Sequence, residues 1–141
     1  MAAIAHKLLF AVFAFALTAA ADQARDVLKA INHVATALTG GNPSDAMLPF
    51  DKSCPNYTTI QNNFIGLTDV YQVSNEANVM DEQDLPTETT LTLQWTLNLT
   101  NKGTHENINR TAEVHLRLRS ERGRWKIIEF SPVDLFNLAA K

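Results

Sequence analysis

A chain of 141 residues with 45% hydrophobic content and a formal net charge of −3 fits one domain with a sizeable core. The mildly acidic balance, with no basic tail, argues against a nucleic-acid partner. Cys54 is the single cysteine, which excludes an internal disulfide.

Residues 1–21 have the layout of a secretory signal peptide. His6 and Lys7 precede an apolar run over residues 8–17, and Thr18-Ala19-Ala20-Ala21 fits an A-x-A cleavage site. The run is about ten residues, against roughly 20 for a membrane-spanning helix. An uncleaved anchor is the competing reading. The expectation is cleavage after Ala21, a mature domain over 22–141, a secreted or periplasmic location, and no membrane association once the signal is removed.

Residues 22–38 predict an amphipathic helix. Ala24, Val27, Leu28, Ile31, Val34, Ala35 and Leu38 share one face. Asp22 suits the N-cap, and Gly40-Gly41-Asn42-Pro43 stops the helix. His33 lies opposite the stripe and is expected to be solvated. A short second helix is predicted over 44–50. A third follows over 55–67, opened by Pro55, with Tyr57, Ile60, Phe64, Ile65 and Leu67 on its buried side.

The remainder predicts strands. A loose first strand over 69–81 carries Val70, Tyr71, Val73 and Val79, and acidic residues 81–86 make a turn. Residues 90–100 alternate apolar and polar without a break, and residues 111–119 repeat the pattern. Side chains alternate faces along a strand. One face is therefore Leu91, Leu93, Trp95, Leu97, Leu99, Ala112, Val114, Leu116 and Leu118. Every ionisable group of 111–119 points the other way. Polar residues 101–107 join the two strands. Glu121-Arg122-Gly123 predicts a tight hairpin with glycine at positive φ, and a last strand spans 125–130, ended by Pro132. Helices followed by hairpin-connected antiparallel strands predict an α+β fold.

The long first helix, the segment Asp45-Ala46-Met47-Leu48 leading to Phe50-Asp51, the third helix ending in Gly66-Leu67, and above all the closing Gly123-Arg124-Trp125-Lys126-Ile127 carry a family resemblance. The chain resembles the NTF2-like superfamily, as a bacterial exported member. That superfamily includes ketosteroid isomerases, scytalone dehydratase and SnoaL-like cyclases. The resemblance implies a cone in which three N-terminal helices pack on a curved antiparallel sheet. It also implies a pocket between helices and concave sheet, and a Trp125 that plugs the sheet.

Within such a pocket, Trp95, Tyr57, Tyr71, Phe64 and Leu93 are the candidate lining residues. Relatives that do chemistry need a carboxylate base and an oxyanion donor there. Asp51, near where ketosteroid isomerases carry their base, is the candidate catalytic residue, although it could equally cap a turn. The apolar concave face offers no other acid.

Cys54 precedes a helix start but lies beside Pro55 with no histidine near in sequence, which disfavours a nucleophile. Glu113 and His115 share a strand face, but a zinc site needs three or four ligands, so no metal and no cofactor are expected. Arg117, Arg119, Arg122, Arg124 and Lys126 are interrupted by Glu113, Glu121 and Glu129, as in a salt-bridged surface. Asn56, Asn98 and Asn109 begin N-glycosylation patterns.

The Thr-rich convex face, centred on Gln94, Thr96, His115 and Arg117, is expected to pair two copies in a homodimer. The leading functional expectation is a non-catalytic exported domain that binds a small apolar ligand or a protein partner. The alternative is an isomerase, dehydratase or cyclase with Asp51 as base.

Overall fold

Unbroken alternation over residues 90–100 produces the central strand. β2 (Glu88–Asn101) pairs with β1 (Tyr71–Asp84) on one side and β3 (Asn107–Glu121) on the other. β4 (Arg124–Ser131) completes an antiparallel sheet in the order β1-β2-β3-β4. The structure is a computed structural model. It describes residues 21–139 in full and only the backbone of residues 2–20. The predicted signal peptide, residues 1–21, therefore lies outside the fully described residues except for its last residue. Among the described residues no helix is long and apolar enough to cross a membrane.

The predicted inward face is the core. Leu91, Leu93, Trp95, Leu97, Leu99, Val114, Leu116 and Leu118 are all buried, and Ala112 packs against them. Trp95 lies opposite Ala112, and Leu93 opposite Val114. β3 begins earlier than expected, at Asn107. Continuing its alternation backward puts Arg110 on the inward face, where it is buried. Within 111–119 the ionisable groups do point outward, but the strand as a whole carries one inward cation.

Three helices precede the sheet, as in an α+β cone. α1 (Ala2–Thr39) buries Val27, Ile31, Val34, Ala37 and Leu38. Its backbone runs through Asp22, which is thus no N-cap and instead pairs with Arg25 at 3.6 Å. Leu28 is at the margin of the stripe, 40% exposed. The helix stops as predicted. Gly41 takes φ +70°, a conformation glycine adopts without strain, and Asn42 N–H returns to Ala37 O at 2.9 Å.

α2 (Pro43–Ala46) is much shorter than the predicted 44–50. Pro49 lacks an N–H and disfavours helix at Leu48 before it. Phe50 instead forms a parallel bridge to Ile127: Asp51 N–H donates to Ile127 O at 2.9 Å, and Ile127 N–H to Pro49 O at 2.8 Å. This segment covers the outer edge of β4. α3 (Tyr57–Val70) starts and ends later than expected and buries Ile60, Phe64, Leu67 and Thr68, while Ile65 is 48% exposed.

The register slips opposite Met80 in β1 and opposite Ile128 in β4. Such bulges bend and twist a sheet. The first strand is expected over 69–81, but residues 69 and 70 close α3, and residues 81–84, expected as a turn, continue β1 beyond its bulge. Arg122 and Gly123 both have positive φ in the β3–β4 hairpin, the geometry of a two-residue primed turn. Trp125, expected to plug the sheet, lies at its end opposite Ser120 and is only partly buried.

After β4 comes a 3-10 turn, Asp134–Phe136, too short to leave a periodic signal in the sequence. Leu135 and Phe136 from this turn are buried in the core.

Candidate functional site

The space between helices and concave sheet is occupied by the chain's own rings. Phe136 packs edge-on against Phe64 at 5.2 Å and Trp95 at 5.4 Å between ring centroids. Phe130 lies 5.6 Å from Phe136 and 5.4 Å from Phe50, which meets Phe64 at 6.0 Å. α3, β2, β4 and the C-terminal turn each contribute. Edge-to-face pairs of this kind add to the burial of each ring.

Trp95, Phe64 and Leu93 are all 0% exposed inside this cluster. The indole N–H of Trp95 donates to Asn75 Oδ1 at 3.1 Å. Tyr71 is partly buried against the core. Of the five residues expected to line a common pocket, only Tyr57 borders an open cleft.

Arg110 holds the turn that delivers Phe136. Its Nη1 donates to Leu135 O at 3.1 Å and to Asn137 O at 2.7 Å. A charged donor bonded to two backbone carbonyls is a strong tether when buried. Extending the two-residue period of β3 by one step would have revealed it in the sequence.

Asp51 follows Phe50, one of the clustered rings, and shares an open cleft with it. It borders an open cleft of about 500 Å³ with Leu48, Lys52, Tyr57, Gln61 and Lys126. A second cleft of about 580 Å³ runs from Asp51 and Lys126 to Glu121, Arg122 and Arg124. Asp51 Oδ1 accepts from Ser53 Oγ at 2.6 Å and from Ser53 N–H at 2.9 Å, a side-chain turn. These two bonds, in that order, hold its carboxyl below the usual range; Arg119 and Lys126 add to this, against a small opposing effect of burial. A carboxylate whose anion is stabilised in this way is a weak base.

His33, expected to be solvated, is half-buried. Its Nε2 lies 3.0 Å from Asp45 O and 3.3 Å from Asp45 Oδ1, joining α1 to α2. The Cys54 thiol is buried and pushed up to about 11, first by burial, then by the charges of Glu129 and Asp51. It is a thiol rather than a thiolate at neutral pH. On the convex face Glu113 and His115 pair at 3.5 Å, and Arg117 with Glu129 at 3.0 Å. Arg119 pairs with Glu121 at 2.9 Å. The described residues hold no group of three or more side chains suited to a metal ion.

No family model and no curated protein matches the sequence. Solved structures do match the chain path. A conserved protein from Planctomyces limnophilus aligns with a TM-score of 0.72 at 6% identity, over 79% of this chain and 94% of its own. An NTF2-like superfamily protein from Salmonella enterica aligns with a TM-score of 0.62 at 11% identity, over 76% and 88%.

The fold is NTF2-like. A Novosphingobium aromaticivorans protein provisionally named a scytalone dehydratase shares the NTF2-like path, with a TM-score of 0.71 at 12% identity over 81% and 85%. At such identities the likeness concerns the path of the chain. An NTF2-like frame hosts unrelated activities, so function has to come from the site.

Proposed function

We propose that this chain is an exported NTF2-like domain that works by binding a protein partner, not by catalysis and not by holding a small molecule in its cone. The supporting observation is the filled interior, where Phe64, Trp95, Phe130 and Phe136 occupy the volume that a cone ligand would need. Ligand sites are concave and largely preformed. The clefts around Asp51 are open to solvent, and its ionised carboxylate is already committed to Ser53. That weighs against the isomerase, dehydratase or cyclase alternative.

The homodimer belongs to the same reading. Thr92, Gln94, Thr96 and His115 present a polar surface whose side chains already bond one another, as in Thr92 to His115 at 3.3 Å and Thr96 to Thr111 at 3.3 Å. Such a surface supports a wet interface of modest affinity.

Three measurements test the proposal. Titration with an apolar fluorescent probe should give no saturable binding to the native chain; a stoichiometric cone site would overturn the binding-module reading. Light scattering should give a dimer that Thr96→Arg weakens, and a monomer at high concentration would remove the dimer. Mass spectrometry of the mature protein should place its first residue at Asp22, while an intact residue 1–21 segment would remove export by cleavage.

A further inference from the structure

The two edges of the sheet are treated differently. The outer edge of β4 is covered by Pro49–Asp51 through backbone bonds to Ile127. β1 is the opposite edge, and among the described residues its backbone ladder is with β2 alone. In an antiparallel ladder alternate residues bond the neighbour, and those between direct their N–H and C=O groups away from it. β1 is 14 residues long. The bulge at Met80 bends that flank, and the uninterrupted stretch over residues 71–79 is the template for another strand.

That flank borders a groove of about 540 Å³ between β1 and α1. Ala35, Thr36 and Thr39 line it from the helix, and Glu76, Ala77 and Asn78 from the strand. Asn32 and Asn75 complete the lining, with Asn75 Nδ2 bonded across to Ala35 O and Thr39 Oγ1. Farther along, Val79 is 43% exposed and Met80 64%.

Charge selects the occupant. β1 carries Glu76, Asp81, Glu82 and Asp84 and no Lys, Arg or His. Glu82 is held above the usual carboxylate range first by partial burial and then by the charge of Asp84. Two copies joined through this edge would set carboxylates against carboxylates, which is unfavourable across strands. The chain's own basic strand, β4, cannot be offered by a second copy, because its edge is already covered.

We propose that the open edge of β1 takes an extended basic segment of a partner protein as a further strand of the sheet. Backbone bonds to β1 supply the affinity, and Lys or Arg side chains facing Glu76 and Asp81, which share the outward face of the strand, supply the selectivity. This inference rests on the binding reading above and names the class of partner.

The test uses the full chain and a labelled peptide alternating lysine with valine over about ten residues, followed by fluorescence anisotropy at low salt. Saturable binding is expected, weakened by about tenfold or more in the exposed double variant Glu76→Lys/Asp81→Lys. N-methylation of the peptide amides on one edge should abolish binding, while N-methylation on the other edge should be tolerated. Equal affinity of both methylated forms would reduce the effect to charge attraction and overturn strand addition, as would no binding. The apolar-probe and light-scattering results do not depend on this edge, so a failed strand addition is distinguishable from a failed binding reading.

Discussion

Trp95 and Asn75 are joined by a hydrogen bond that also ties the sheet to the first helix. The indole Nε1–H donates to Asn75 Oδ1 at 3.1 Å, while Asn75 Nδ2 donates to Ala35 O at 2.9 Å and to Thr39 Oγ1 at 3.0 Å. A buried indole N–H needs a partner. Here the partner is a side chain of β1 whose other end fastens α1.

Asn75→Ala is therefore expected to destabilise the fold by about 1–3 kcal/mol, the usual cost of leaving a buried donor unsatisfied. Urea denaturation measures it. A loss below about 0.5 kcal/mol would mean that water replaces the amide without cost.

Phe136→Ala should cost about 3–5 kcal/mol, because the ring fills the centre of the core and the surrounding sheet cannot collapse onto the gap. Trp125→Ala should cost less, about 1–2 kcal/mol, since its ring is only partly removed from water. Both are read from the same denaturation curves. A larger loss at Trp125 than at Phe136 would invert the assignment of the core.

Ser53→Ala should raise the Asp51 pKa toward the ordinary value, because it removes the largest cause of the depression. The sign for stability follows from linkage. A carboxyl depressed in the folded state contributes stability above its unfolded pKa, and this is lost as pH falls through the folded value. The wild type should thus lose a little more stability than Ser53→Ala as pH falls below about 4. Carboxyl carbon shifts followed by NMR give the pKa directly, and no change at Asp51 would exclude the turn as the cause.

Cys54 should be silent to a disulfide reagent in the native state at pH 8. Its thiol is 3% exposed and pushed up to about 11, so neither access nor thiolate is available. Reaction at the rate of a free thiol without denaturant would show that the α2–α3 connection opens readily.

Much of this architecture is readable from the alternation of residues 90–100 and 111–119, because a strand with one buried face permits only one register. Element ends are less legible. The bulge at Met80 breaks the period of β1, and Pro49 exchanges a helix turn for a bridge to β4. The candidate site was legible in composition but not in placement. Trp95, Phe64 and Leu93 look alike as pocket wall or as core, and the choice depends on whether Phe136 reaches them. That ring arrives on a three-residue turn, too short to leave a periodic signal. Its tether, Arg110, was hidden one step before the expected start of β3.

Part of the stopper in the cone is borrowed from the tail. Phe64, Trp95 and Phe130 belong to the walls, whereas Phe136 arrives on a few residues after Pro132 held by Arg110 and by Asn63, whose Nδ2 donates to Val133 O at 3.2 Å. Wall and contents can therefore vary independently. A domain of this shape passes from wedge to vessel by shortening or redirecting its last turn, with no strand rebuilt. Two chains with superimposable sheets can thus differ in whether they have an inside at all.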